Sequence, residues 1–142
     1  CGSGILSIAS ARLWPRSKIL ALDVDSDAVA TTRENIKLNR VKRQIDCNRN
    51  DGYPKDSPNR KTKFDMIVAN ILAGPLFDMA YDSSRWVNKG GFVILSGLLI
   101  PQERYVLGAF RSCGLRLFRR QHISGWSTII LQKPIIRKSA IL

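Results

Sequence analysis

Met66-Ile67-Val68-Ala69-Asn70-Ile71-Leu72-Ala73-Gly74-Pro75-Leu76 is the segment that decides the fold. Its first four residues form a short apolar run, as expected of a buried strand. Asn70 then sets a polar amide at the carboxyl end of that strand, just ahead of a Gly-Pro turn and a helix. In open α/β sheets this is the edge where ligands bind. Asn offers one acceptor oxygen and two donors, so a rigidly held Asn70 can accept a hydrogen bond from an incoming amine and aim its lone pair. The plainer alternative is that Asn70 caps the following helix.

A second strand-end turn opens the chain. Cys1-Gly2-Ser3-Gly4 leads into Ile5-Leu6-Ser7-Ile8-Ala9-Ser10-Ala11, whose apolar spacing is helical. Glycines let backbone approach a ligand, and a helix amino terminus favours polar or anionic groups. Asp23 follows Gly4 by 19 positions, at the end of the strand-like run Ile19-Leu20-Ala21-Leu22. A glycine loop with an acid about 20 residues on is a nucleotide-ribose pattern. A dinucleotide site wants a third glycine where Ser7 stands, so a nicotinamide cofactor fits poorly. Asp23 as a simple turn residue is the competing reading. Asp25 is better read as a helix cap than as a second ribose ligand.

The remaining elements alternate. Helices are expected over 4–13, from Ser26 to about Asn39 with Val29, Thr32 and Ile36 inward, from Pro75 through Leu76, Met79, Ala80 and Val87, and from Pro101 to Gly114. Strands are expected over 18–23, 43–47, 64–69 and 92–96, followed by a hairpin of 115–120 with 127–132. Residues 48–63 form a polar loop. This alternation implies a mostly parallel sheet with helices on both faces.

The stretches Cys1 to Ala9, Asp23-Val24-Asp25, Arg33-Glu34-Asn35, Asn70 to Leu76 and Leu95-Ser96-Gly97-Leu98-Leu99 together resemble the catalytic domain of the ribosomal protein L-11 methyltransferases. The resemblance runs on to Gly125-Trp126 and the strand after it. It implies a Rossmann-like class I methyltransferase sheet, α/β, whose last strand is antiparallel. It also implies S-adenosylmethionine as cofactor. Gly2 and Gly4 would admit the cofactor's methionine part, Asp23 would bond its ribose, and Asn70 would lie beside both the cofactor and the reacting nitrogen as the catalytic residue. The implied substrate is ribosomal protein L-11, methylated on lysine side chains and its terminal amine. A free lysine is protonated at neutral pH, its pKa being about 10.4. No general base stands near Asn70 in the sequence, so the proton is expected to leave to water.

The same resemblance places a strand, an acid and a first glycine directly ahead of the residue that is Cys1 here. That first strand is central in the family's sheet, between the strands ending at Asp23 and Asn70. The expectation is therefore a methyltransferase domain over 1–133, incomplete at its start, with a tail over 134–142. Alone it is expected to be a poorly soluble, inactive fragment that binds cofactor weakly.

Two rival functions share these motifs. Nucleic-acid adenine methyltransferases carry a similar asparagine turn, with an aromatic that stacks on a flipped base. Here Ile71, Leu72 and Ala73 occupy that stretch, and the first aromatic, Phe77, is expected to point elsewhere on its helix. The other rival is a non-catalytic, ribosome-binding Rossmann-like module.

Composition sets the outer bounds. A chain of 142 residues with 44% hydrophobic residues is one domain at most and has enough apolar side chains for a core. No apolar stretch is long enough to span a bilayer, and no membrane partner is expected. Cys1, Cys47 and Cys113 are widely spaced without CxxC pairing, which favours reduced cytoplasmic thiols over disulfides or a metal site. His122 falls in a turn-like stretch with no catalytic partner in view. The net charge is +12, carried by basic residues scattered along the chain without an aromatic-interleaved stripe. Solvated faces account for most of them; attraction to ribosomal RNA is the sharper reading.

Overall fold

The computed structural model describes residues 1–54 and 63–135. The chain divides into two compact units, residues 1–55 and 56–142. The basic residues Arg60 and Lys61 and most of the tail lie outside the described residues.

In the first unit, α1 (Ile5–Leu13) leads to β1 (Ile19–Asp23), and α2 (Ser26–Leu38) to β2 (Ile45–Arg49). The strands pair in parallel, Ile19 opposite Ile45 and Asp23 opposite Arg49. The three inward residues expected of α2, Val29, Thr32 and Ile36, are all buried. With Ile8 and Ala11 of α1 and Ala21, Ile45 and Cys47 of the strands, Val29 and Ile36 make one apolar cluster. The α2 cap falls on Asp25, whose carboxylate accepts the N–H of Asp27 at 2.9 Å, and Ser26 is the first helical residue. β2 starts two residues later than the short polar strand expected over 43–47 and runs two residues further, to Arg49. Val41 and Gln44 donate to Ile36 and Val41 carbonyls, and these turns keep 41–44 out of the strand.

The second unit contains β3 (Phe64–Asn70), α3 (Ala73–Asp78), α4 (Ala80–Trp86), β4 (Val87–Leu99), α5 (Ile100–Ser112), β5 (Arg116–Ile123) and β6 (Trp126–Gln132). Its sheet runs β3-β4-β6-β5. β3 and β4 are parallel, and the last strand, β6, is antiparallel to both neighbours. The helix expected from Pro75 is two short ones meeting at Met79, and Val87 is the first residue of β4 instead of the last of a helix. β4 likewise begins ahead of Gly90-Gly91, which folds as a bulge within the strand. A side chain at Gly91 would sit 2.8 Å from the Asp65 carbonyl. Ser124 and Gly125 both have positive φ, the pattern of a tight two-residue hairpin turn between β5 and β6. Leu76, Val93, Leu95, Val106, Phe110 and Ile129 anchor the core of this unit, each at most 1% exposed.

Among the described residues β1 pairs only with β2, and β3 only with β4; no strand joins the two ladders. No helix among them is long and apolar enough to cross a membrane.

Candidate active site

The glycine loop and Asp23 belong to one hydrogen-bonded unit. Gly2 (φ +54) and Gly4 (φ +81) both take the left-handed conformation, which costs other residues roughly 1–2 kcal/mol. At Gly4 there is also no room: an added Cβ would lie 2.9 Å from the Thr32 methyl. Gly2 faces open space. Thr32 is fully buried and donates its hydroxyl to the Gly2 carbonyl at 3.0 Å. Asn35, one turn further along α2, donates its amide to the Ser3 carbonyl at 2.7 Å. From the other side, one Asp23 oxygen accepts the Gly2 N–H at 2.9 Å. Its second oxygen accepts the Asp25 N–H at 3.1 Å. Burial pushes the Asp23 carboxyl up, and the N–H groups of Gly2 and Asp25 act against it by favouring the carboxylate.

These residues fit the group that the resemblance implies. A carboxylate has about four acceptor sites, so the Asp23 oxygen bonded to Asp25 keeps one for a ribose hydroxyl. Gly4 caps α1 with no side-chain bond, leaving the first N–H groups of that helix to a polar or anionic ligand.

In the second unit, Asn70 ends β3 opposite Ser96 and is exposed. The capping alternative fails here, because the N-cap of α3 is Leu72, two residues on, and the helix end has no side-chain cap. What shapes the turn is Gly97 (φ +82). A Cβ there would meet the Ile71 carbonyl at 2.6 Å and the Asn70 side-chain oxygen at 2.9 Å. The ladder between β4 and β6 is interrupted at the same place, between Leu95 and Leu98. Phe77 stacks on Tyr105 of α5 with ring centroids 4.2 Å apart.

Three contributors are not marked as site residues by the sequence. Gly97 lies within a stretch that carries the resemblance, but only its positive φ and the close Ile71 carbonyl give it a role. Helical spacing places Thr32 inward, without its partner. Asn35 belongs to the Arg33-Glu34-Asn35 stretch and holds the loop through a contact across 32 positions. His122 departs from its turn-like reading: it lies within β5, and its Nε2 is 2.6 Å from a Glu103 oxygen. The same oxygen accepts the Ser127 hydroxyl at 2.8 Å, and Arg120 pairs with the other at 3.2 Å. Burial raises the Glu103 pKa, but His122, Ser127 and Arg120 together hold it below the usual glutamate value. The cluster ties α5 to the β5–β6 hairpin.

A family model described as ribosomal protein L11 methyltransferase (PrmA) matches residues 1–134. The chain is 38% identical over 132 residues to the ribosomal protein L11 methyltransferase of Rhodopseudomonas palustris (strain BisB5), covering 93% of this chain and 44% of that protein. It therefore spans less than half the length of that relative. The crystal structure of the ribosomal protein L11 methylase from Lactobacillus delbrueckii subsp. bulgaricus superposes with a TM-score of 0.78 at 29% identity, over 94% of this chain and 67% of that one. The [4+2]-cyclase SpnF reaches the same TM-score at 13% identity, over 95% of this chain and 73% of that one. That likeness concerns the fold alone and shows that the fold by itself does not name a reaction. The chain belongs to the ribosomal protein L11 methyltransferase family.

Proposed function

We propose that this chain is the catalytic part of an S-adenosylmethionine-dependent protein N-methyltransferase whose substrate is ribosomal protein L11, acting in the cytoplasm. The observation that carries the reading is Asn70: an exposed amide at a strand end, freed from helix capping and set against Gly97. The cofactor would supply an activated methyl group on a sulfonium. Asp23 would bond its ribose, and the backbone at Gly2 and Gly4 would receive its amino-acid end. Asn70 would accept a hydrogen bond from the neutral amine and hold its lone pair in line. Such positioning is worth as much as roughly 7–11 kcal/mol of a barrier. The proton of the substrate ammonium leaves to water before attack. A flipped base finds no stacking partner in the turn, since Phe77 is engaged with Tyr105; this favours a protein amine over adenine. Ribosomal RNA is a second partner under the same reading, attracted by the net charge of +12.

The test, made on a full-length version of the protein, is transfer of a labelled methyl group from S-adenosylmethionine to purified L11. Asn70→Ala should lower turnover at least ~10²-fold, the scale of a lost transition-state hydrogen bond, with unfolding unchanged. Turnover that survives the substitution removes Asn70 from the chemistry. No transfer by the unmodified protein, with cofactor bound, would favour a non-catalytic module.

A further inference from the structure

We propose that the first unit carries a binding site for single-stranded nucleic acid at the amino ends of β1 and β2. The inference is independent of the methyl-transfer reading. The connection from α1 to β1 and the last turn of α1 supply Arg12, Arg16 and Lys18. The connection from α2 to β2 and the last turn of α2 supply Lys37, Arg40, Lys42 and Arg43. These stretches are about 25 residues apart in sequence, yet the parallel pairing of β1 with β2 makes them neighbours. The Ile19 N–H donates to the Gln44 carbonyl at 2.8 Å, and Arg12 donates to the Asn39 side-chain oxygen at 2.9 Å. All these cations are exposed. No Asp or Glu occurs within 11–18 or 36–45; Glu34 and Asp46 are the nearest acids along the chain.

Part of this charge has a structural use. Arg12 and Lys37 lie in the last turns of α1 and α2, where cations complement the helix dipole. Arg16, Lys18, Arg40, Lys42 and Arg43 lie outside the helices. None of them takes part in an ion pair among the described residues. Trp14, 48% exposed, stands among them. Unpaired cations beside an exposed indole suit a phosphate backbone with an unpaired base stacked alongside. A membrane surface would supply the anions without needing the ring. Asp23 lies at the opposite end of β1, ~13 Å away at ~3.3 Å per residue, so a nucleic acid bound here leaves the glycine loop open.

The experiment measures fluorescence anisotropy of labelled oligouridine and oligothymidine, each ~16 nucleotides long, the upper site size of a single-strand groove. Phosphatidylglycerol vesicles serve as the competing surface. Affinity should fall about 10²-fold between about 50 and about 200 mM salt, as expected for ~5 neutralised phosphates. The triple variant Arg16→Glu, Lys42→Glu, Arg43→Glu should bind at least ~10-fold more weakly. The equally charged control Lys89→Glu, Arg104→Glu, Arg116→Glu should lose less than ~3-fold, because these residues belong to the second unit and form no part of the proposed site. Trp14→Ala should lose at least ~5-fold. Matching circular dichroism spectra ensure that folded proteins are compared. Equal affinity for the two oligonucleotides assigns the site to chemistry they share, and tighter oligouridine binding assigns it to RNA. Equal losses in the two triple variants, no binding of either strand, or tighter binding to vesicles would overturn the proposal.

Discussion

The turn before α1 and the turn after β3 are built in opposite ways. The turn at Gly2-Ser3-Gly4 is held by side chains from elsewhere: Thr32 and Asn35 grip its carbonyls and Asp23 takes an N–H. The turn at Asn70-Ile71-Leu72 is shaped by backbone fit against Gly97, and it presents its one polar side chain at the surface. A loop that cradles a ligand with its own backbone must be fixed from outside, because it has few side chains of its own to fix it. A turn that acts through a side chain must leave that side chain uncommitted, so its support comes from main chain. The distinction is testable because the two kinds of support fail differently.

The largest expected effect is at Gly97. In Gly97→Ala the left-handed φ is penalised, and the new Cβ collides with the Ile71 carbonyl, a backbone atom that cannot rotate aside. The second unit should lose at least ~2 kcal/mol, the sum of the φ penalty and overpacking strain. Methyl transfer should fall further than stability explains, since Gly97 positions Asn70. In Gly4→Ala the φ penalty is the same, but the obstacle is the Thr32 side chain. Thermal unfolding of the two variants should therefore rank Gly97→Ala as the more damaging. The reverse order would mean that Gly97 is not the support of its turn.

Next in size is Asp23. Asp23→Ala should weaken S-adenosylmethionine binding by about 1.5–3 kcal/mol, the worth of hydrogen bonds to a charged group. Calorimetry with unchanged affinity would leave Asp23 as a loop latch alone. Asp23→Asn keeps one acceptor for the loop and should hold it more weakly than the carboxylate does, since a hydrogen bond to an ionised acceptor is the stronger kind.

Which of these features the sequence discloses follows from how each is encoded. Strand-end residues such as Asp23 and Asn70 are visible because an apolar run stops at a polar side chain, a local pattern. The inward face of α2 is visible for the same reason. Gly97 is not, because a glycine needed for a contact across the sheet looks like any other glycine. The gathering of Arg12, Arg16, Lys42 and Arg43 at one end needs the parallel register of β1 and β2. His122 is hidden because β5 is exposed at all but one position, and a strand reading Arg-Leu-Phe-Arg-Arg-Gln-His-Ile has no period-two signal. The bulge at Gly90-Gly91 fits against the Asp65 carbonyl of β3 and is likewise not local.

The smallest expected effect isolates the outside grip on the glycine loop. Thr32→Val keeps the shape of a fully buried side chain and removes only the hydroxyl that reaches Gly2 and Cys1. The Gly2 carbonyl is exposed and can turn to water, so the loss should be about 0.5–1.5 kcal/mol, one ordinary hydrogen bond. Global unfolding should move little. Local opening should move more, because the loop loses one of the few bonds that hold it. Native-state hydrogen exchange at Gly2 and Gly4 should speed up by roughly 2- to 10-fold, the same free energy read as an opening equilibrium. Exchange at Ile71 and Leu72 should not change, since nothing in that turn depends on Thr32. If both turns exchange faster, the substitution has loosened more than a latch. If neither does, Asn35 and Asp23 hold the glycine loop without Thr32, and its buried hydroxyl serves packing alone.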